Sequence, residues 1–325
     1  MDWHIVHLTF DSATHIGHDE SGIGVEGSQL VIHSDTIFSA LCSVWAGCKW
    51  GQGVLKSIDI DKGESPVLLS SAYPFTKETK GITYFLPRPL FPPTSRFGFF
   101  SSRVKQTEFL PIEHFQLWAD GLVTNATQAQ DRGIGTRDYK SLYTFDVRPR
   151  QASDRQTDAT SIYYCGGTYF RWDSGLYFIA ETEDKKLLTD SMKLLEHSGL
   201  GGERGVGYGA FKFEIIDATA FTKLRQIKGN LWYLLSLYYP NDKEKENLSN
   251  DALAYRLVPR KGWFNSVTDM SQGKRKTCNM FAEGSVFRSQ PNGRLLNLSP
   301  DGNAPTHPIH RNGLALSLPL TSREK

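Results

Sequence analysis

"GLGGERGVGYGAF", residues 199–211, sets six glycines in thirteen positions around one arginine and one tyrosine. Glycine loses more backbone freedom on folding than any other residue, so such a run implies a sharp turn or a close approach to the backbone. The stretch before it, "EDKKLLTDSMKLLEHSGL" (183–200), spaces Leu187, Leu188, Met192, Leu194 and Leu195 as a helix does, with Gly199 as its C-cap. "AFKFEIID" (210–217) reads as the strand that follows. Helix first and strand second is the reverse of a dinucleotide fingerprint, where the strand comes first and a helix N-terminus faces the pyrophosphate. No GK[ST] closes the run, so it is not a P-loop. Two readings remain open. Backbone amides and Arg204 hold a phosphodiester chain, with Tyr208 or Phe211 stacking on a base; or the run is a helix-to-strand turn without a ligand.

Outward from the run, "WHIVHLTF" (3–10) reads as an opening strand. "HSDTIFSALCSVW" (33–45) gives a helix capped by Ser34 or Asp35, with Ile37, Leu41, Val44 and Trp45 on one face. "GITYFLPRPLFPP" (81–93) starts as a strand and is stopped by prolines. Residues 124–160 are polar and aperiodic, an excursion such as a hairpin. "SIYYCGGTYFRWDSGLYFIAET" (161–182) reads as two strands joined in a hairpin turn at Asp173-Ser174-Gly175. This order implies an α+β fold. A ferredoxin-like (RRM-like) domain spans 1–217, with an insertion at about 81–160 and the glycine-rich loop at 199–209. The short strand-like pieces "NLWYLLSLYYP", "YRLVPRKGWF", "TCNMFAEGSVFR" and "GLALSLPL" imply a smaller, degenerate domain of the same type over 218–325.

Charge sets the scale of any anion site. With 37 basic against 35 acidic residues the chain has no global field for nucleic acid, so a basic site must be local. Gly81–Thr107 contains no acid but holds Arg88, Arg96, Arg103 and Lys105. Arg148, Arg150 and Arg155 alternate with Asp146, Asp154 and Asp158, which makes internal ion pairing a serious reading of this cluster. Cys42, Cys48, Cys165 and Cys278 form no CxxC pair, so neither a zinc site nor a disulfide framework is expected. No cofactor is expected. The N-terminus is not a signal peptide and no apolar run is long enough to span a bilayer, so a cytoplasmic protein without membrane contact is expected.

Several stretches carry a resemblance when taken in order: "HSDTIFSALCSVW" (33–45), "FLPRPLFPP" (85–93), "VRPRQASDRQTDATSIYY" (147–164), "GGERGVGYGAF" (201–211), "EGSVFR" (283–288) and "HPIHRNGLAL" (307–316). Together they resemble the RAMP superfamily of CRISPR RNA-binding proteins, and within it the type III-A (Csm) effector subunit at the foot of the complex. The resemblance runs over nearly the whole chain. It implies a non-catalytic subunit that binds the guide RNA at its 5′ handle and docks a large polymerase-like subunit and the backbone subunits. By match to the motif, Gly201, Gly202, Arg204, Gly205, Gly207 and Tyr208 would line the handle site. Arg148, Arg150 and Arg155 would belong to an inserted thumb near the target RNA, and Arg88 is a further candidate for RNA contact. The rival within the superfamily is a repeat-RNA-processing endoribonuclease, with His15, His18 or His33 as acid or base and Asp19 nearby. His4 and His7 lie three apart on the first strand, a spacing that suits no shared metal.

Overall fold

The computed structural model describes residues 2–17, 25–59, 63–79, 81–91, 107–120, 122, 139–153, 160–265, 272–301 and 307–321. The first strand, β1 (Asp2–Phe10), is buried almost end to end. Its side chains divide by the two-residue period: Trp3 and Ile5 join one core cluster, and Val6, Leu8 and Phe10 join another. Both faces of its sheet are therefore covered.

The elements that follow are α1 (Ser34–Ala46), α2 (Lys49–Ser57), β2 (Leu68–Leu69), β3 (Tyr73–Glu78), β4 (Gly81–Pro87), β5 (Phe109–Pro111), α3 (Ile112–Ala119), β6 (Tyr143–Ser153), β7 (Thr160–Phe170), β8 (Ser174–Thr182), α4 (Lys185–Ser198) and β9 (Phe211–Asp217). The central sheet runs β5-β4-β3-β8-β1-β9, with β2 also on β8, and its pairings are antiparallel. Helices α1 and α4 share one face of it. Ile37, Phe38, Leu41, Leu188, Met192 and Leu195 lie in the same cluster, and Trp45 Nε1 donates to Ser191 Oγ at 2.7 Å.

Three expectations are corrected here. The N-cap of α1 is His33, without a side-chain capping bond; Asp35 instead accepts from two arginines, as described below. Residues 81–87 and 109–111 are strands of the central sheet, held by Phe75↔Tyr84 and Phe85↔Pro111, so the insertion expected at about 81–160 contains strands of that sheet. The bend at Asp173–Gly175 joins β7 to β8, but the two do not pair: β7 lies along β6, while β8 lies between β1 and β3. The protruding hairpin is β6–β7.

The rest of the chain comprises α5 (Thr222–Arg225), β10 (Leu231–Leu234), α6 (Asp242–Asp251), β11 (Ala252–Ala254), β12 (Leu257–Arg260), β13 (Trp263–Asn265), β14 (Gln272–Lys274), β15 (Cys278–Phe281), β16 (Val286–Phe287), β17 (Gly293–Asn297), β18 (His310–Leu314) and β19 (Ser317–Leu320). A four-stranded sheet, β11-β16-β10-β19, packs Tyr233, Val286 and Leu318 into the same cluster as Tyr73, Phe75 and Tyr177. Among the described residues no helix is long and apolar enough to cross a membrane.

Candidate nucleic-acid interface

Asp184 starts α4 by accepting from the Leu187 amide at 2.8 Å, and Gly199 ends it at φ +72. From there the glycine run is pinned at both ends. Leu200 donates to the Gly209 carbonyl, Gly202 to that of His15 and Gly209 to that of Ala13, at 2.7–2.9 Å. Between the pins the chain makes one tight turn over Arg204–Val206, entered through Glu203 at φ 55. A left-handed glutamate is uncommon, and Glu203 is the one non-glycine residue with positive φ among the described residues. The amides of Gly201, Glu203, Arg204 and Gly205 find no hydrogen-bond partner among the described residues. Successive free N–H groups in a turn of this kind form a concavity suited to anions.

The glycines divide by what a side chain would meet. A Cβ on Gly209 would lie 2.1 Å from the Leu200 carbonyl, and one on Gly201 2.7 Å from that of His15. One on Gly202 would lie 2.9 Å from the His15 ring. These positions answer to packing. Gly207 meets nothing within 4 Å but sits at φ +92. Gly205 meets nothing within 4 Å and is not in the left-handed region, so neither packing nor backbone requires glycine there. Gly205 borders an open cleft of about 630 Å³ that is also lined by Ser198, Gly201, Gly202, Arg204 and Val206. Arg204 is exposed beside it, with Nη1 3.4 Å from the Ser198 carbonyl at the end of α4.

Tyr208 is 4% exposed and clusters with Ala13 and Cys165. Stacking on a base needs an open ring face, so the expectation of stacking by Tyr208, or by the equally buried Phe211, is corrected. Tyr208 instead carries the hairpin. A Cβ on Gly167 of β7 would lie 2.8 Å from its ring, and Arg150 of β6 lies over that ring at 5.1 Å. On the same face of β6, Arg148 pairs with Asp146 at 2.9 Å and covers the Tyr169 ring at 4.7 Å. The glycine run and Arg150 therefore meet through Tyr208, with Arg148 next along the same strand against Tyr169. Arg88 stands elsewhere: its guanidinium donates to the Thr107 and Pro89 carbonyls, and burial lowers its pKa. Arg155, Arg96, Arg103 and Lys105, like His18 and Asp19, lie outside the described residues.

His15 emerges as a junction. Its Nδ1 is 2.8 Å from the Gly166 carbonyl of the hairpin while its own carbonyl takes the Gly202 amide. Sequence reading missed this contact and the hairpin's seat, although Gly166-Gly167 inside a strand is the signal of a close backbone approach.

The three pieces "HSD" (33–35), "EGS" (283–285) and "HRN" (310–312) converge far along the chain from the glycine run. Asp35 accepts two bonds from Arg260, each at 2.9 Å, and a third from Arg311; all three are buried. His33 Nδ1 lies 2.7 Å from Glu283 Oε1, which also accepts from Ser71. Burial opposes both charges, yet each partner prevails: Glu283 is held at about 2, and the His33 pKa is raised. His33 is 8% exposed, and its Nδ1 is engaged in this ion-pair network. Among the described residues no group of three or more His, Cys, Asp and Glu side chains is placed to hold a metal ion.

The RAMP superfamily model matches residues 7–212, and that of the CRISPR Csm4 C-terminal domain matches 227–320. The "CRISPR system Cms protein Csm4" of Mycobacterium tuberculosis (strain ATCC 25618 / H37Rv) is 30% identical over 322 residues, covering 98% of this chain and 99% of the relative. The protein of that name from Streptococcus thermophilus is 26% identical, covering 92% and 93%. Among solved structures, a chain of the Csm3-Csm4 subcomplex in the type III-A CRISPR-Cas interference complex superposes with a TM-score of 0.64 at 18% identity, covering 99% of this chain and all of that one. A chain of the Csm1-Csm4 cassette in complex with pppApA gives the same TM-score and identity, with complete coverage of both. At that identity the structural likeness speaks for the fold.

Proposed function

Because this chain belongs to the Csm4 family of the RAMP superfamily, we propose that it is the subunit of a type III-A CRISPR interference complex that holds the 5′ handle of the guide RNA. The observation that carries this reading is Gly205, a glycine that neither packing nor backbone demands, set among free amides at the edge of an open cleft. Phosphate oxygens of the handle take the amides of Gly201, Glu203, Arg204 and Gly205, and Arg204 adds a charge-assisted contact. Gly202 and Gly207 shape that turn, and Tyr208 seats the hairpin that brings Arg148 and Arg150 alongside. Contacts of this kind read backbone and shape, leaving sequence to guide–target pairing.

The finer architecture belongs to the same proposal. The order β9-β1-β8-β3, with α1 and α4 on one face, is that of a ferredoxin-like domain over 1–217, and 218–325 is a smaller domain of that type. The β6–β7 hairpin is the thumb, near the target RNA. By analogy with the Csm1-Csm4 and Csm3-Csm4 assemblies, the partners are the large subunit and a backbone subunit. The role is one of binding, in the cytoplasm, with no reaction assigned to its histidines. Photo-crosslinking of a complex loaded with a guide that carries thio-uridine in its handle tests the proposal. Crosslinks within 199–209 are expected; handle crosslinks confined to other subunits would overturn it.

A further inference from the structure

The strands β12–β13 and β14–β15 form one long hairpin with a fixed face and a bare face. Leu257 pairs with Phe281, Arg260 with Cys278 and Trp263 with Lys274. Inward, Arg260 grips Asp35, Phe264 is buried, and Arg275 donates to Ser39 of α1 at 3.3 Å. Outward stand Leu257, Lys261 and Trp263, the last 64% exposed, and just before β12 Tyr255 is 53% exposed with its ring edge-to-face with Phe281 at 5.2 Å. Lys274 Nζ lies 5.6 Å from the centre of the Trp263 ring, and Arg256 is exposed beside Tyr255. Over 252–276 the sequence has six basic residues against the single acid Asp269.

Two exposed aromatic rings set among exposed cations give this surface both stacking and charge contacts to offer a partner. Its chemistry selects the partner. An apolar protein face would leave the cations unpaired, whereas a single-stranded nucleic acid offers bases to the rings and phosphates to the cations. The inward anchors matter as well, because a platform held through Arg260 and Arg275 loses little freedom on binding. We propose that Tyr255, Arg256, Lys261, Trp263 and Lys274 form a second site for single-stranded RNA, distinct from the glycine run; this rests on the reading of the chain as an RNA-binding subunit.

The test titrates the full chain against a short dye-labelled oligouridine, followed by fluorescence anisotropy. Tyr255→Ala with Trp263→Ala is expected to weaken binding about tenfold or more, and Trp263→Phe to retain most of it. Lys261→Glu with Lys274→Glu is expected to weaken binding and to flatten its salt dependence. Both rings lie mostly in solvent, so an unchanged thermal midpoint is expected as the folding control. Gly205→Asp in the same assay reports on the other site. Unchanged affinity without the two rings, alongside weakening by Gly205→Asp, overturns the hairpin site and leaves the glycine run standing. Unchanged affinity in both variants counts against both sites. Full RNA affinity combined with loss of the large subunit on co-purification would make this face a protein-docking surface, and overturns the proposal.

Discussion

Gly205 and Gly209 sit four residues apart, and packing and backbone require glycine only at 209. Alanine at 209 would push its Cβ to 2.1 Å from a carbonyl oxygen at φ +75, so Gly209→Ala is expected to cost about 2 kcal/mol or more. Gly205→Asp enters open space and is expected to change stability by less than about 0.5 kcal/mol. Calorimetry of the two variants separates a glycine that the fold requires from one that it does not. His33 and Glu283 give a second residue-scale expectation. The His33 pKa is raised above 6.5, so its contribution is complete below that pH and is lost as pH rises through the folded value. Glu283, held at about 2 against an ordinary 4.5, contributes above 4.5 and fails only as pH falls toward 2. The thermal midpoint is therefore expected to decline on the alkaline side, and His33→Gln to flatten that decline. An equal alkaline decline in the variant would show that another group governs it.

At the scale of elements, the hairpin depends on a glycine in its own strand. Gly167→Val would drive side-chain atoms into Tyr208 and Ala13, at an expected cost of about 1–3 kcal/mol. Hydrogen exchange should quicken in β6, β7 and the glycine run while β1 and β8 stay protected. Uniform quickening would mean that the hairpin is no separate unit. What was legible follows the same local logic. β1, α1, α4 and β9 carry clear periods of two or 3.6, and the order of helix, glycine run and strand located the loop. Membership of β4 and β5 in the central sheet was hidden, because pairing between distant strands leaves no mark in either. Helix α6 was hidden too: it buries none of its residues and has no apolar stripe, and its local signal is the capping box of Asn241 and Glu244. At the site, the glycines and arginines were readable as residue types. The burial of Tyr208 was not, since its partners come from β7 and from the segment after β1.

Across the whole molecule, the motifs that carried the resemblance do two different jobs. The glycine run faces a cleft, whereas His33, Asp35, Glu283 and Arg311 lie buried, where they lock the start of α1 to the C-terminal strands. Asp35→Asn would leave Arg260 and Arg311 buried without their counter-charge, at an expected cost of about 3–5 kcal/mol. Because one core cluster takes residues from both sheets, the native chain is expected to unfold in a single calorimetric transition. Two resolved transitions would show that the sheets unfold independently.

The most direct measurement starts from co-expression of the chain with its neighbouring subunits and a repeat–spacer array, followed by sequencing of the RNA that co-purifies. Arg204→Ala combined with Gly205→Asp alters two exposed positions and should leave the fold intact. Loss of the RNAs that share one repeat-derived 5′ end, with the protein still folded and assembled, is the expected result. Recovery of the same RNAs in the same amount would contradict the handle site, and would reduce the glycine run to a turn between α4 and β9.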